Sequence, residues 1–304
     1  MDGRRSAPQG GILDKDKDIR DIALISHKDV VGLNFIKPDG PYVFRRHFRQ
    51  GLRSHILEIL NPADLRRERT GTSINGIAHF PKARPVKMFR IFRARLSSLG
   101  HALEEIGRVK ITECYLAPDF LARSNEMIVD YHGPQGKDLL LCGLQEYVPG
   151  VILDPWSLLD GVDFLTCLHD QSHPQAVPPA MTRKRWIDAA RRNGALFIDR
   201  VKRMILEGGH IPDLAGVGNI LIEPSGQIKL VDINNISEVR FDDRIRLDDR
   251  GYPVCDKSIE ALSLLEAKLL SRPAALSEPL YQTFLAPQRL KAVALLEKRF
   301  SRAF

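Results

Sequence analysis

Cysteine is scarce in this chain of 304 residues, which has only Cys114, Cys142, Cys167 and Cys255. The four are far apart, form no Cys-x-x-Cys pair and have no histidine at zinc-ligand spacing. This pattern argues against a zinc site and against a disulfide framework. We therefore expect free thiols in a reducing compartment.

Long apolar runs are also missing. The longest, DLLLCGL, is far shorter than the roughly 20 residues that a membrane-spanning helix needs. The start of the chain, MDGRRSAPQGGILDKDKDIRD, contains no apolar stretch of signal-peptide length. We expect a cytoplasmic protein and leave open a peripheral contact with the inner face of a membrane.

Positive charge exceeds negative charge, with 45 Lys and Arg against 38 Asp and Glu, a net charge of +7 and a pI near 9.3. Such a balance favours acidic partners such as nucleotides, phosphorylated glycans, anionic membranes or RNA, although many soluble proteins are simply basic. The basic stretch RKRWIDAARR fits the polar face of a long helix. Because it lacks a pattern of stacking aromatics, we do not expect nucleic-acid binding there.

Hydrophobic patterns predict an α+β protein in which strands come first and helices later. VKMFRIF, FLARSNEMIVDY and DLLLCGLQEYV predict strands, and LSSLGHALEEIGRVKITECYL predicts a helix between the first two. VVGLNFI and YVFRRHF predict a hairpin around KPDG. SHILEILNPADLRRERT predicts a short helix that breaks near Pro62, and helices dominate from Asp154 onward.

The stretch GHIPDLAGVGNILIEPSGQIKLVDINN carries the strongest chemical signal. Its second half predicts strand, Pro-Ser-Gly-Gln turn and strand, so that Asn219 and Asp232 stand at the open end of one hairpin. A carboxylate and an amide oxygen are hard ligands of the kind that Mg²⁺ takes, together with nucleotide phosphates. Asp213, six residues before Asn219, could orient an attacking hydroxyl or serve only as a turn residue.

This order of Asp, Asn and Asp resembles the catalytic loop and metal-binding strand of the protein-kinase-like superfamily. The thirteen-residue gap from Asn219 to Asp232 is the gap usual in that family. The resemblance implies that Asp213 is the catalytic aspartate and that Asn219 and Asp232 hold Mg²⁺.

Further parts of the same fold appear upstream in order. The resemblance makes Lys87, on the strand VKMF, the lysine that reaches the ATP phosphates, and Glu105 its partner on the next helix, with Glu104 as the competing candidate. A solvated basic face is the alternative explanation for Lys87. Because Val109 lies one turn beyond Glu105 on the same side, helical phase favours Glu105.

Two more segments fit the resemblance. LQEYVPG is similar to the hinge between the lobes, where Glu146 and Val148 would bind adenine through their backbones and Gln145 would be the gatekeeper. GTSINGIA places Gly71 and Gly76, with Ser73 between them, where the phosphate-covering Gly-rich loop is expected.

The chain also departs from the family. IPD stands where protein kinases carry His-Arg-Asp, the interval from Asp213 to Asn219 is one residue longer than usual, and Ile-Asn-Asn follows Asp232 in place of Phe-Gly. No Ala-Pro-Glu segment follows, so the platform for a peptide substrate is shortened or missing. The departures indicate an atypical relative.

The resulting expectation is a bilobal kinase-like fold with an antiparallel-sheet N-lobe, a mainly helical C-lobe, and ATP and Mg²⁺ between them. We divide the chain into an extension (1–65, with roughly the first 20 residues poorly ordered), the N-lobe (66–148) and the C-lobe (149–304). The expected function is transfer of the γ-phosphoryl group of ATP to a hydroxyl-bearing or acidic acceptor. The alternative is a pseudokinase that acts as a nucleotide-binding scaffold or regulator.

Overall fold

The computed structural model describes residues 17–48, 51, 53–173, 181–273 and 275–303. The chain divides into two compact units. Unit 1 contains the chain up to residue 103 together with residues 124–147, and unit 2 contains residues 104–123 and the chain from 148 onward. The fold is α+β, as predicted. The expected poor order of the first residues falls mainly on residues 1–16, which lie outside the described residues.

Unit 1 is built on a five-stranded antiparallel sheet. Its elements are α1 (His27–Val31), β1 (Val43–Arg46), β2 (Ser54–Leu60), α2 (Pro62–Thr70), β3 (Thr72–Ile74), β4 (Ile77–His79), β5 (Pro85–Phe92), the start of α3 (Leu99–Leu116), β6 (Ser124–Gly133) and β7 (Gly136–Glu146). The strand order is β1-β2-β5-β7-β6, and β3 and β4 form a separate two-stranded ribbon. The strand that carries Lys87 is therefore the central one.

The segment SHILEIL is a strand, so the predicted helix there was wrong. As β2 it pairs with β1 on one side and β5 on the other, and Leu57 and Leu60 are fully buried. A short apolar run fits a strand or a helix equally, and only the two neighbouring strands decide. Pro62 begins α2 instead of breaking a helix, because Asn61 accepts a hydrogen bond from the Ala63 amide at 2.8 Å as the N-cap.

The predicted hairpin around KPDG was also wrong. Val30 and Val31 end helix α1, and only YVFRRHF contributes a strand, β1. Val30 and Leu33 pack with Ile19 and Ile25 on core residues of the sheet that include Phe89. Because β1, β2 and this apolar cover all come from the range 1–65, a boundary at residue 65 divides the sheet of unit 1.

Unit 2 is mainly helical. Its elements are the remainder of α3, β8 (Val151–Ile152), α4 (Gly161–Ser172), α5 (Arg183–Gly208), β9 (His210–Pro212), β10 (Ile220–Ile222), β11 (Ile228–Leu230), β12 (Ile236–Glu238), α6 (Val254–Leu270), α7 (Pro279–Phe284) and α8 (Pro287–Ala303). The short strands of unit 2 form two small antiparallel sheets, with the strand orders β11-β10-β8 and β12-β9. Within the described residues, no helix combines the length and apolar character needed to cross a bilayer.

Helix α6 is buried along most of its length, including four of its charged side chains, Asp256, Lys257, Glu266 and Lys268. Arg289 donates from Nε to Oδ1 of Asp256 at 2.5 Å. Nζ of Lys202 lies 2.7 Å from Oε2 of Glu266. Because a buried charge is costly unless it is paired, these contacts fix α6 against its neighbours.

His55 links the residues before α1 to strand β2. It is fully buried, its Nε2 donates to the carbonyl of Ile19 at 3.0 Å, and its Nδ1 lies 3.4 Å from Nη2 of Arg93. Burial, and then the charge of Arg93, lower its pKa to about 4. The folded protein therefore holds a neutral imidazole.

We expect His55 to make unfolding easier at low pH. Because its folded pKa lies below the ordinary value near 6.5, its contribution is complete above that value and is lost as the pH falls toward 4. The loss is about 3 kcal/mol. Urea unfolding between pH 7 and 4 should show this loss in the native chain and a shallower pH dependence in His55→Gln, and equal slopes would contradict the assignment.

Candidate functional site

Asn219 and Asp232 lie side by side at the end of the predicted hairpin. Strands β10 and β11 pair antiparallel, with Ile220 opposite Leu230. The carbonyl of Asn219 accepts a hydrogen bond from the Val231 amide at 2.8 Å, next to the amide of Asp232. The hairpin thus forms as predicted, and its backbone sets the spacing of the two side chains.

Asp213 is held by hydrogen bonds on both of its carboxylate oxygens. Oδ1 accepts from the amides of Ala215 and Gly216, each at 3.0 Å. Oδ2 accepts from Nδ2 of Asn235 at 2.9 Å. A carboxylate offers about four acceptor positions, so with the donors of the described residues one position on Oδ2 remains for a further donor. The carboxyl is oriented rigidly and is still able to accept one proton or one hydrogen bond.

The charge of Asp213 is destabilised by its surroundings. Burial raises its pKa above the usual range, and the nearby charge of Asp232 raises it further, whereas the hydrogen bonds from Gly216, Asn235 and Ala215 act in the opposite direction. A carboxylate beside a second negative charge is stabilised by a cation that binds next to it. A shifted pKa of this kind is typical of functional sites.

The loop between Asp213 and Asn219 is fixed from three sides. Nδ2 of Asn219 donates to the carbonyl of Asp213 at 2.9 Å. Oγ of Ser258, buried on α6, accepts from the Leu214 amide at 3.2 Å, and Nε1 of Trp156 donates to the carbonyl of Ala215 at 2.8 Å. Gly216 lets the loop pass close to Asn219, because a Cβ at this position would overlap the Asn219 side-chain amide.

Asn219 and Asp232 can hold a divalent cation only if water or a bound phosphate supplies its remaining ligands. Because Nδ2 of Asn219 is used by Asp213, its Oδ1 is the atom that can face a metal, and the Asp232 carboxylate adds a second hard oxygen ligand. Within the described residues, no group of three or more His, Cys, Asp or Glu side chains could hold a metal by itself. Mg²⁺, which keeps water and phosphate ligands, suits two protein ligands better than Zn²⁺ or Ca²⁺ would.

A cavity of about 220 Å³ adjoins the loop in unit 2. Val217 of the loop lines it together with Asp154, Ser157, Cys167 and Gln171. Asp154 also accepts from the amide of Trp156 at 2.9 Å, so the lining and the loop share an anchor. The cavity offers space for a small ligand beside the loop.

Three candidate residues of unit 1 lie together on the neighbouring strands β5 and β7. Lys87 on β5 lies directly opposite Glu146 on β7, so the two side chains share a face of the sheet. Gln145 is buried and pairs with Met88 in the same ladder. Gly71 and Gly76 lie elsewhere: they flank strand β3, in the ribbon that is separate from the five-stranded sheet.

Two candidates belong to unit 2. Glu105 lies on α3 and accepts from Nη1 of Arg108 at 2.9 Å. Val148 is buried and packs with Ala122 and Leu221. The ion pair between Lys87 in unit 1 and Glu105 in unit 2 stays a prediction.

Sequence reasoning missed Asn235, Ser258 and Trp156. Asn235 follows Asp232 in VDINN, the segment in which Ile-Asn-Asn stands in place of Phe-Gly. Its amide reaches Asp213 because β12 pairs with β9, and the Asp213 amide extends that ladder to the Asn235 carbonyl at 2.8 Å. No local signal pointed to Ser258 or Trp156.

Neither a protein-family model nor a curated protein matches this chain.

We expect Asn235→Ala to raise the pKa of Asp213, because the variant removes a hydrogen bond that stabilises the charged carboxylate. The carboxyl carbon of Asp213, followed by NMR as a function of pH, measures the shift. Asn234→Ala is the matched control, since the Asn234 side chain has no hydrogen-bond partner among the described residues. Equal shifts in both variants would show that the Asn235 contact does not tune Asp213.

Proposed function

We propose that this protein is an atypical kinase-like phosphotransferase that moves the γ-phosphoryl group of ATP to a hydroxyl-bearing acceptor. The observation that carries the proposal is the close pair of Asp213 and Asp232, with Asn219 fixed between their backbones. Two neighbouring carboxylates with an amide oxygen beside them suit a divalent cation that arrives with a polyphosphate. The shared chemistry with the family motif supports phosphoryl transfer among the reactions that use Mg²⁺.

The proposed role of each residue follows from the hydrogen bonds that it makes. Asn219 and Asp232 would hold Mg²⁺ through Oδ1 and the carboxylate. When bound, Mg²⁺ and ATP supply the transferable group and neutralise the charge that develops on it. Asp213 presents the one acceptor position left on Oδ2 to the hydroxyl and holds its proton as the hydroxyl attacks. Its raised pKa makes it a better proton acceptor than an ordinary aspartate.

The proposed architecture is bilobal, with unit 1 as the N-lobe and unit 2 as the C-lobe. An antiparallel sheet with a helix inserted between β5 and β6, followed by a helical unit, supports it. Lys87 would contact the phosphates and pair with Glu105, and the backbones of Glu146 and Val148 would bind adenine. Gly71 and Gly76, which the resemblance assigns to the phosphate-covering loop, flank β3 in a ribbon that, among the described strands, pairs with none of the sheet that carries Lys87.

Asp232→Asn tests the proposal most directly. We expect loss of phosphoryl transfer with little change in the melting temperature, because the substitution keeps the shape of the side chain and removes the charged ligand. Release of ADP in the presence of Mg²⁺, with a panel of small hydroxyl acceptors, is the readout. Asp243→Asn, on an exposed loop position of the same unit, is the control. If Asp232→Asn turns over as fast as the native chain, the assignment of Asp232 as a Mg²⁺ ligand is wrong.

A pseudokinase that serves as a nucleotide-binding scaffold or regulator is the second candidate. It is favoured by the three donors that already occupy the Asp213 carboxylate, which would suit a residue that only shapes the loop. In that case Asp213→Asn would leave nucleotide binding unchanged, and neither the native chain nor the variant would release ADP.

Thermal shift separates the two candidates from a chain that binds no nucleotide. We expect millimolar ATP with Mg²⁺ to raise the melting temperature, because a ligand that binds only the folded state stabilises it by about 2.7 kcal/mol at 100 times its Kd. The same shift without ADP release supports the scaffold. No shift with ATP and Mg²⁺, while the native chain melts cooperatively, contradicts both candidates.

A further inference from the structure

An excursion from the sheet of unit 1 exposes apolar side chains that the proposed function does not use. It runs from Pro62 to Arg84, between β2 and β5, and consists of α2 and the ribbon β3–β4. Ribbon residues 73–80 are all exposed, and Ile74, Ile77 and Phe80 are exposed by 55%, 73% and 60%. Helix α2 buries no side chain. We call residues 62–84 the ribbon surface.

The tip of the ribbon holds its two isoleucines together. Ile74 lies opposite Ile77 in the ladder, and the turn between them is Asn75-Gly76, both with positive φ, 53° and 77°. A two-residue turn of this type is a stable hairpin connection. Because residues directly opposite in a ladder share a face, the two side chains project as one apolar knob.

The base of the excursion is anchored, so the knob is presented by a fixed structure. Glu68 on α2 accepts from the Ala83 amide at 2.9 Å and from Nη1 of Arg45 at 2.9 Å. Nε of Arg45 in turn donates to Oε2 of Glu58 on β2 at 2.7 Å. These contacts tie both ends of the excursion to the sheet.

Cations accompany the knob. Arg66 and Arg69 lie on α2, and Lys82 and Arg84 follow the ribbon; all four are exposed. The acidic groups of the same segment are already used, since Asp64 pairs with Arg67 at 3.2 Å and Glu68 pairs with Arg45. Among the described residues, Arg66, Arg69 and Arg84 have no ion-pair partner, so the ribbon surface carries excess positive charge.

We propose that the ribbon surface docks on an anionic lipid membrane, with Ile74 and Ile77 entering the interface and the four cations facing the headgroups. An apolar knob flanked by cations matches the two attractions that such a membrane offers. Nucleic acid is the poorer partner, because aliphatic isoleucines cannot stack on bases as aromatic side chains do.

Vesicle sedimentation of the full chain tests the proposal. We expect binding to vesicles of phosphatidylcholine mixed with phosphatidylglycerol, weaker binding to pure phosphatidylcholine, and a further decline with added salt because surface charges are screened. The double variant Ile74→Ser, Ile77→Ser should lose at least about tenfold in partition coefficient, since each removed side chain takes away apolar area that enters the interface. Arg66→Gln with Arg69→Gln should lose mainly the binding that depends on phosphatidylglycerol.

Leu158→Ser with Leu206→Ser is the matched control, because these leucines are 98% and 62% exposed but lie in unit 2. This control should bind vesicles as the native chain does. All variants should melt at the same temperature as the native chain, since the changed side chains are exposed. No binding of the native chain to anionic vesicles, or equal binding of the isoleucine variant, would overturn the proposal. So would binding to a DNA duplex that the isoleucine variant loses while vesicle binding is absent. None of these readouts depends on phosphoryl transfer.

Discussion

The proximity of Asp213 and Asp232 is the constraint on which the candidate site depends. Burial raises the energetic cost of ionising Asp213, and the nearby charge of Asp232 adds to that cost. The arrangement persists because hydrogen bonds from Ala215, Gly216 and Asn235 hold Asp213 in place. A folded chain that keeps two carboxylates in this position spends stability there, which is typical of a site shaped for a ligand.

Helix α6 and Trp156 of unit 2 hold the loop that follows Asp213. Helix α6 supplies Ser258 to the loop and is itself fixed by buried ion pairs at Asp256 and Glu266. Trp156 adds a second anchor, and Nζ of Lys257 lies 4.3 Å from its ring centroid. Loop, helix and tryptophan therefore share contacts that hold the backbone beside Asp213.

Unit 1 combines a covered sheet with an anchored excursion that leaves apolar side chains exposed. Its sheet is covered by the apolar residues that precede β1, yet the excursion between β2 and β5 leaves isoleucine and phenylalanine side chains in solvent. Glu68 and Arg45 hold this excursion without burying it. Exposed apolar side chains on an anchored element indicate an interaction surface more than a packing defect.

The sequence by itself determined the hairpin that carries Asn219 and Asp232, because a turn and two short apolar runs are local features. It also predicted the α+β class, β5, β6, β7 and the long helix α5. It did not decide SHILEIL, whose pattern fits a strand or a helix until β1 and β5 lie on either side. Asn235 could not be assigned to Asp213 either, since residues 22 positions apart meet only when β12 pairs with β9. Contacts within a turn or two follow from neighbouring residues, whereas these depend on which distant strand completes the ladder.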